Sequence, residues 1–343
     1  MKRLLNTLFV TTQGAYLAKQ GDTVCVNVEQ ETKLRVPIHN LGSVVCFGNV
    51  GCSPFLMGFC GEQNVTLSFL SENGRFLARV HGPVSGNVLL RKEQYRRSDD
   101  ASASALIARS LITAKLANSR IVLQRAQRDR EDLQHSSAIG KALDSLWELI
   151  QAVKDETDLD RIRGIEGTGA NAYFSVLDLL IGASKEQFFF KERSRRPPLD
   201  NMNALLSFLY TLLVHDVESA LEAVGLDPAV GFLHRDRPGR PSLALDLMEE
   251  FRAYLADRLA LSLVNRQQIK PEGFTKTESG AVTMDDETRK AVLIAWQKRK
   301  QEEITHLFLQ ESVPLGLLPH IQAQLLARHL RGDLEGYPPF LWR

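Results

Sequence analysis

The chain has 343 residues, of which 44% are hydrophobic, and 42 basic against 41 acidic side chains give a formal net charge of +1. This length predicts about two domains with a sizeable core. The near-neutral balance excludes a global electrostatic field that would by itself indicate a nucleic-acid partner. No CxxC pair occurs, so we expect free thiols buried in a reducing compartment rather than a zinc site. The cysteines are Cys25, Cys46, Cys52 and Cys60.

The first part of the chain, residues 1–85, predicts a small β domain. Short apolar-rich segments alternate with turn residues, as in consecutive strands. These segments are 4–10, 15–19, 23–28, 34–38, 44–47, 65–70 and 76–80. The pair Asn73-Gly74 predicts a hairpin, because both residue types tolerate positive φ. Residues 54–63 predict one short helix, and a linker near 82–87 would lead to the remaining chain.

Residues 86–343 predict a large α-helical domain, because apolar residues recur there at helical spacing. The predicted helices are 105–124, 139–153, 158–163, 170–181, 203–224, 242–264, 286–308 and 315–330. Residues 273–284 predict an inserted hairpin, and the tail GYPPFLWR predicts extended chain. The fold class is therefore α+β, with a small N-terminal β domain followed by a large all-α domain.

The stretch 231–252 combines a histidine, a basic loop and two helix acids. His234 lies in the loop, and Asp246 and Glu249 interrupt the apolar run that follows. Their spacing of three places both acids on one face of a helix. A charge in an apolar run needs a partner, because burial of an unpaired charge is costly. A metal ion is one such partner, and a histidine beside two carboxylates is a suitable ligand set.

A third candidate acid, Glu166, lies between glycines in the segment GIEGTG at 164–169. Glycine permits close approach of other groups to the backbone. Taken alone, Glu166 is better explained as a charge near a helix N-terminus, where the helix dipole favours it. The segment is not a phosphate-binding loop, since no Gly-Lys-Ser/Thr sequence ends it.

Three basic clusters occur in this near-neutral chain. Each alone is typical of a solvated surface. Together they favour binding of a phosphate backbone, whose oxygens match the fork of an arginine guanidinium. The clusters are Arg91, Lys92, Arg96 and Arg97 around Tyr95; Lys191, Arg193, Arg195 and Arg196; and Arg235, Arg237 and Arg240.

Three separated motifs carry a resemblance to a known family. They are GIEGTGANAYF around Glu166, RRPPLDNMNALLSFLYTLL from Arg195, and GFLHRDRPGRPSLALDLMEEFR from Gly231. In order and wording they resemble the CRISPR-associated endonuclease and integrase family, the first of the numbered Cas proteins, and are closest to subtype I-C. The resemblance covers the whole chain, the β domain followed by the α domain.

Carried over position by position, the resemblance implies that Glu166, His234 and Glu249 are metal ligands. The family often has aspartate at the last position, and glutamate retains the carboxylate. Asp246 would have a supporting or a second-metal role. The implied cofactor is Mg²⁺ or Mn²⁺, and the histidine favours manganese. Tyr173 would pack or contact DNA, and packing is favoured. The implied DNA-binding residues are Arg193, Arg195, Arg196, Arg235, Arg237 and Arg240.

The resemblance also implies a reaction and partners. Short foreign DNA fragments would be inserted into a CRISPR array by attack of a 3′-hydroxyl on a phosphodiester. The partners would be double-stranded DNA (prespacer and repeat), a second copy of the chain paired through the β domains, and the small second adaptation subunit, which completes a heterohexamer. With no signal core and no long apolar run, we expect a soluble cytoplasmic protein and no membrane partner.

Two other functions stay open at this point. One is a structure-specific DNA repair nuclease that uses the same four residues. The other is a non-catalytic DNA-binding scaffold in which the acids form buried structural pairs.

Overall fold

The computed structural model describes residues 6–72, 74–80, 82 and 88–343. Asn73 of the predicted hairpin and most of the predicted linker lie outside the described residues. The N-terminal elements are β1 (Asn6–Val10), β2 (Tyr16–Gln20), β3 (Thr23–Val28), β4 (Glu31–Pro37), β5 (Leu41–Phe47), β6 (Gly51–Cys52), α1 (Pro54–Glu62), β7 (Thr66–Leu70) and β8 (Phe76–Val80). The predicted strands are confirmed with small shifts of their ends, and the short β6 is an addition.

Two four-stranded sheets build this domain, in the orders β1-β5-β7-β8 and β4-β3-β2-β6. Alternate residues of a strand face opposite sides. In β5, Val44 and Cys46 join the core between the sheets, whereas Val45 and Phe47 join the core of the helices. Strand β5 is therefore buried on both faces over residues 44–47 and connects the two parts of the molecule.

The cysteines confirm the prediction of free thiols. Cys25, Cys46 and Cys60 are buried and Cys52 is half-buried. Burial raises the pKa of Cys46 to about 12. The neutral thiol is a weak nucleophile, so these residues act as small core side chains.

The remaining described chain, residues 88–343, is mainly helical. Its elements are α2 (Val88–Asp99), α3 (Ala101–Asp129), α4 (Ser137–Lys154), α5 (Leu159–Phe174), α6 (Asn201–Val224), α7 (Ser242–Met248), α8 (Arg258–Asn265), β9 (Phe274–Lys276), β10 (Val282–Met284), α9 (Asp286–Gln301), β11 (Glu303–His306), β12 (Glu311–Pro314) and α10 (Leu318–Leu330). The α+β class is confirmed, as is the inserted hairpin, β9 with β10.

Several predicted helix boundaries are wrong. Segments 158–163 and 170–181 are not two helices: α5 is continuous through the glycines, and a 3₁₀ turn, Leu177–Leu180, follows it. Helix 242–264 is interrupted by a π-helix, Arg252–Asp257. Helix 286–308 ends at Gln301, where an unpredicted hairpin of β11 and β12 begins. Helix α2 was not predicted either.

Helix α6 is long and apolar enough to cross a membrane by length and composition alone, with a mean hydropathy of 1.3. However, 67% of the window that passes this test is buried inside the fold. Fourteen of its residues belong to the buried set, and they pack on α7, α10 and the first sheet. Its apolar character is thus explained by its place in the core.

Candidate active site

Glu166 lies in the middle of α5, not at a helix start as predicted. A side chain at Gly169 would overlap Leu116 of α3, so this glycine lets the two helices pack closely. Gly164 and Gly167 face open space instead. The glycine-rich segment therefore lets α5 pack closely against α3, and the Glu166 side chain remains 29% exposed.

Lys115 of α3 joins Glu166 to Glu249. Its Nζ donates to Glu166 Oε1 and lies 2.8 Å from Glu249 Oε2. Glu249 comes directly after α7, and its side chain is 5% exposed. Two carboxylates from different helices therefore meet across one buried ammonium group, although they are far apart in the sequence.

The two carboxylate oxygens of Glu249 have different surroundings. Arg252 Nη1 donates to Oε1 at 2.7 Å. Oε2 is buried and has no directed hydrogen bond within the described part of the chain, although the Lys115 ammonium is close. Burial would raise the pKa of Glu249, but the charges of Arg252 and Lys115 outweigh this effect and hold it well below its usual range. Glu249 is therefore an ionised, buried carboxylate whose Oε2 has the Lys115 ammonium as its close partner.

Asp246 holds His234 in place. It is fully buried, and its Oδ2 accepts the backbone N–H groups of Phe232 (2.6 Å) and Leu233 (2.9 Å). Its Oδ1 accepts the backbone N–H of His234 at 2.9 Å and lies 2.6 Å from Nδ1 of the same residue. A side chain at Gly231 would approach Asp246 Oδ2 to 2.7 Å, so this glycine makes room for the carboxylate.

The loop that carries His234 is tied to α5 and faces Glu249. Arg163 Nε donates to the Leu233 carbonyl at 2.7 Å, and Arg235 pairs with Asp160 at 3.1 Å. His234 is also among the groups that lower the pKa of Glu249. The predicted set thus meets in one region: Glu166 and Glu249 share Lys115, and His234 is fixed beside them by Asp246.

Among the described residues, no three His, Cys, Asp or Glu side chains are close enough to hold a metal ion as they stand. The residues nevertheless fit one. The Lys115 ammonium, itself a cation, already lies between the two carboxylates, and Glu249 Oε2 is a buried oxygen without a directed hydrogen bond. Because Nδ1 of His234 is engaged by Asp246, its Nε2 is the ring nitrogen available for a ligand bond.

The basic clusters differ in how they are used. Arg193 donates to Asn203 Oδ1 at 2.6 Å and to Ser207 Oγ at 3.0 Å, so its guanidinium is engaged in the fold. Arg195 and Arg196 are exposed. Partial burial lowers the pKa of Arg240, as do the nearby charges of three other arginines. These neighbours are Arg237, Arg195 and Arg196. The second and third clusters therefore meet in space.

Tyr173 packs rather than facing solvent. Its side chain is 3% exposed and belongs to the helical core, with its ring centroid 5.3 Å from that of Phe174. A direct DNA contact is not compatible with this burial.

Two residues of the site region were missed in the sequence. Lys115 interrupts a buried apolar stretch of α3, which was a usable signal of a buried partner. Glu250 follows Glu249 directly but is fully buried on another side, where Tyr337, Gln322 and the backbone N–H of Phe340 donate to it. Burial raises the pKa of Glu250 to about 8. The C-terminal tail is thus fastened directly beneath the site.

Comparison with known sequences decides the family. The family model described as CRISPR associated protein Cas1 matches residues 8–298. The chain belongs to the Cas1 family. It is 53% identical over 343 residues to a CRISPR-associated endonuclease Cas1 of Chlorobaculum tepidum, with 100% of both chains covered.

Solved structures of Cas1-like chains share the fold. A casposase bound to its integration product has a TM-score of 0.83 and 24% identity, covering 99% of this chain and 95% of that one. A chain of a Cas6–RT–Cas1–Cas2 complex has a TM-score of 0.83 and 22% identity, covering 100% of this chain and 36% of that one. The chain is a CRISPR-associated endonuclease of the Cas1 family, so the predicted family and enzyme class are confirmed.

Proposed function

We propose that Glu166, His234 and Glu249 bind a divalent metal ion, Mg²⁺ or Mn²⁺, and that this site inserts short DNA fragments into a CRISPR array. The observation that carries the proposal is the pair of carboxylates from α5 and the end of α7 that meet across one cation. Two oxygens and one imidazole nitrogen suit either metal. When bound, the ion would polarise the phosphodiester and activate the attacking oxygen.

The reaction exchanges one phosphodiester for another. The 3′-hydroxyl oxygen of the fragment forms a bond to a repeat phosphorus, and the bond from that phosphorus to the repeat 3′ oxygen breaks. The departing oxygen gains a proton, and the attacking hydroxyl loses one. Water in place of the hydroxyl gives endonuclease cleavage. The protein supplies position and charge for this exchange.

His234 and Asp246 have separate roles in this proposal. His234 would bind the ion through Nε2, because its Nδ1 is bonded to Asp246. Asp246 has its oxygens occupied by four donors, which favours the supporting role over a second-metal role. We therefore regard it as the positioning residue for His234.

Exposed and half-buried arginines would hold the DNA backbone without reading its sequence. We assign this role to the combined arginine surface, defined as Arg195, Arg196, Arg235, Arg237 and Arg240. Arg193, whose Nη1 and Nη2 donate within the fold, would shape the loop beneath it. Arg235 also pairs with Asp160 between exposed side chains, a weak interaction that a phosphate can replace.

The assembly and the domain division belong to the same proposal. Residues 1–85 would pair two copies of the chain, and residues 86–343 would carry the reaction. The small second adaptation subunit would bridge two such pairs in a heterohexamer, as implied by the resemblance and in line with the Cas1–Cas2 composition of one structural relative. The complex would act in the cytoplasm, where the array and its DNA substrates are.

A strand-joining assay tests the proposal. Labelled prespacer and repeat DNA are incubated with the chain and Mn²⁺ or Mg²⁺, with and without the small second subunit. Glu166→Gln and His234→Ala should abolish joining while the chain stays folded and its DNA affinity is unchanged. Glu148→Gln, an exposed glutamate on α4, is the matched control. Cleavage of branched DNA without joining would favour a repair nuclease, and DNA binding without metal-dependent joining or cleavage would favour a scaffold. Full activity of both site variants would refute the assigned ligands.

A further inference from the structure

Lys115 is a buried ionisable residue beside the two acids of the site, and the proposed reaction gives it no role. It lies on α3 among buried residues that include Leu111, Ile112 and Leu116. A lysine on an apolar face is strongly unfavourable unless its ammonium is paired. Its side chain is 9% exposed, and its Nζ contacts only the two acids of the site among the ion pairs of the described residues.

The position of the ammonium is set by helix packing. Gly169 lets α5 approach α3, and Leu116, the neighbour of Lys115, fills the space that a side chain at Gly169 would need. This packing brings the Glu166 carboxylate to the lysine. The surrounding core therefore fixes the position of Nζ between the two carboxylates, unlike the ammonium of a freely rotating surface lysine.

A divalent ion bound between the two acids would compete with the Lys115 ammonium for the oxygens that face it. Glu249 Oε1 is already bonded to Arg252, which leaves Oε2 as its ligand atom. Oε2 faces Nζ at 2.8 Å, and Glu166 Oε1 accepts from the same Nζ. An ammonium and a divalent ion cannot both take these oxygens, since their like charges repel at such separations.

We infer that Lys115 is the resident cation of the metal-free site: its ammonium holds Glu166 and Glu249 together, and it leaves their facing oxygens when a divalent ion binds. This inference rests on the proposed metal site. Lys115 keeps two acids from repelling each other before the ion arrives. It therefore also competes with the ion, so its removal strengthens metal binding.

The test is Mn²⁺ binding to the full chain, measured by titration calorimetry with MnCl₂. In Lys115→Met the competing charge is absent, and the loss of one charge-assisted contact corresponds to about tenfold tighter Mn²⁺ binding. The melting temperature should also rise more with Mn²⁺ than in the wild type. Lys300→Met is the matched control, because Lys300 is a buried lysine paired with Asp216 at 2.8 Å. It should bind Mn²⁺ as the wild type does.

Separate results identify separate failures. If the wild type binds Mn²⁺ and Glu166→Gln does not, but Lys115→Met binds with equal or lower affinity, the resident-cation role is wrong and the metal site stands. If the wild type shows no Mn²⁺ binding that depends on Glu166, the proposed metal site itself is wrong, and the resident-cation role with it.

A measurement on the wild type covers the case in which Lys115→Met does not fold. Amine acetylation is followed by mass spectrometry with and without MnCl₂. Release of the ammonium from its two acids should increase labelling of Lys115, whereas labelling of Lys300 stays constant. Equal labelling of Lys115 in both conditions would overturn the inference.

Discussion

The substitution Asp246→Asn tests how the histidine is held. Each Asp246 oxygen accepts two donors, so the new amide NH₂ faces two N–H groups whichever way it turns. Facing Phe232 and Leu233, it would leave two buried donors unpaired, at about 1–3 kcal/mol each. If the amide NH₂ faces His234 instead, the imidazole proton can move from Nδ1 to Nε2, and Nδ1 then accepts a hydrogen bond from the amide. Only the backbone N–H of His234 is left unpaired in that arrangement.

The second arrangement is the more stable, and it has a distinct functional consequence. The free energy of unfolding should fall by about 1–3 kcal/mol. Because Nε2 then carries a proton, it can no longer bind a metal, and Mn²⁺ affinity and strand joining should fall about 10- to 100-fold. DNA affinity should not change, since the arginines are untouched.

Urea unfolding, Mn²⁺ calorimetry and the strand-joining assay measure these three quantities on one preparation. Asp178→Asn is the control, since Asp178 Oδ1 also accepts a backbone N–H, that of Phe190, at 2.8 Å. It should lose stability but keep its Mn²⁺ affinity. If Asp246→Asn joins strands and binds Mn²⁺ as the wild type does, the histidine is not positioned by this carboxylate.

Three further changes have expected outcomes. Burial and the charge of Arg79 lower the pKa of His215 from 6.5 to about 4. As the pH falls below 6.5, His215 therefore becomes protonated in the unfolded chain before it does so in the folded chain. The free energy of unfolding should fall as a result, by about 2 kcal/mol at pH 5. Urea unfolding should show this loss in the wild type and not in His215→Asn. Gly169→Val overlaps Leu116 and should destabilise the chain by at least about 1–3 kcal/mol in the same assay. The double substitution of Arg195 and Arg196 by Ala should reduce the salt dependence of DNA binding, with the slope lower by about 0.9 per lost phosphate contact; an unchanged slope would remove both from the arginine surface.

Much of the layout could be predicted from sequence periodicity. Short apolar-rich segments bounded by turn residues predicted the strands of the β domain, and helical spacing predicted α3, α4 and α6. Residue types in the stretch 231–252 indicated His234, Asp246 and Glu249. The grouping of Glu166 with them came from the resemblance, because residues as distant as Glu166 and Glu249 have no local sign of proximity. Their convergence depends on the packing of α3 against α5 and α7.

The errors concern places where packing outweighs local preference. Each glycine inside a helix costs about 1 kcal/mol of helix stability relative to alanine. For this reason the segment around Glu166 was predicted as a break between two helices. The contact of Gly169 with Leu116 offsets this cost and keeps α5 continuous. Lys115 was missed because its partner Glu166 is 51 residues away. The π-helix after Glu249 had no recognisable signal.

The neighbouring acids Glu249 and Glu250 show how strictly the register of this segment is constrained. Both are buried, yet the pKa of Glu249 is lowered by its cationic partners and the pKa of Glu250 is raised to about 8 by burial. One is a charged ligand candidate and the other is a largely neutral anchor for the C-terminal tail. A slip of a single residue would place either Met248 at the site or Phe251 at the anchor of the tail, so one of the two positions would lose its carboxyl group. An insertion or deletion between residues 247 and 257 should therefore be more damaging than most substitutions there, even where it preserves every side chain.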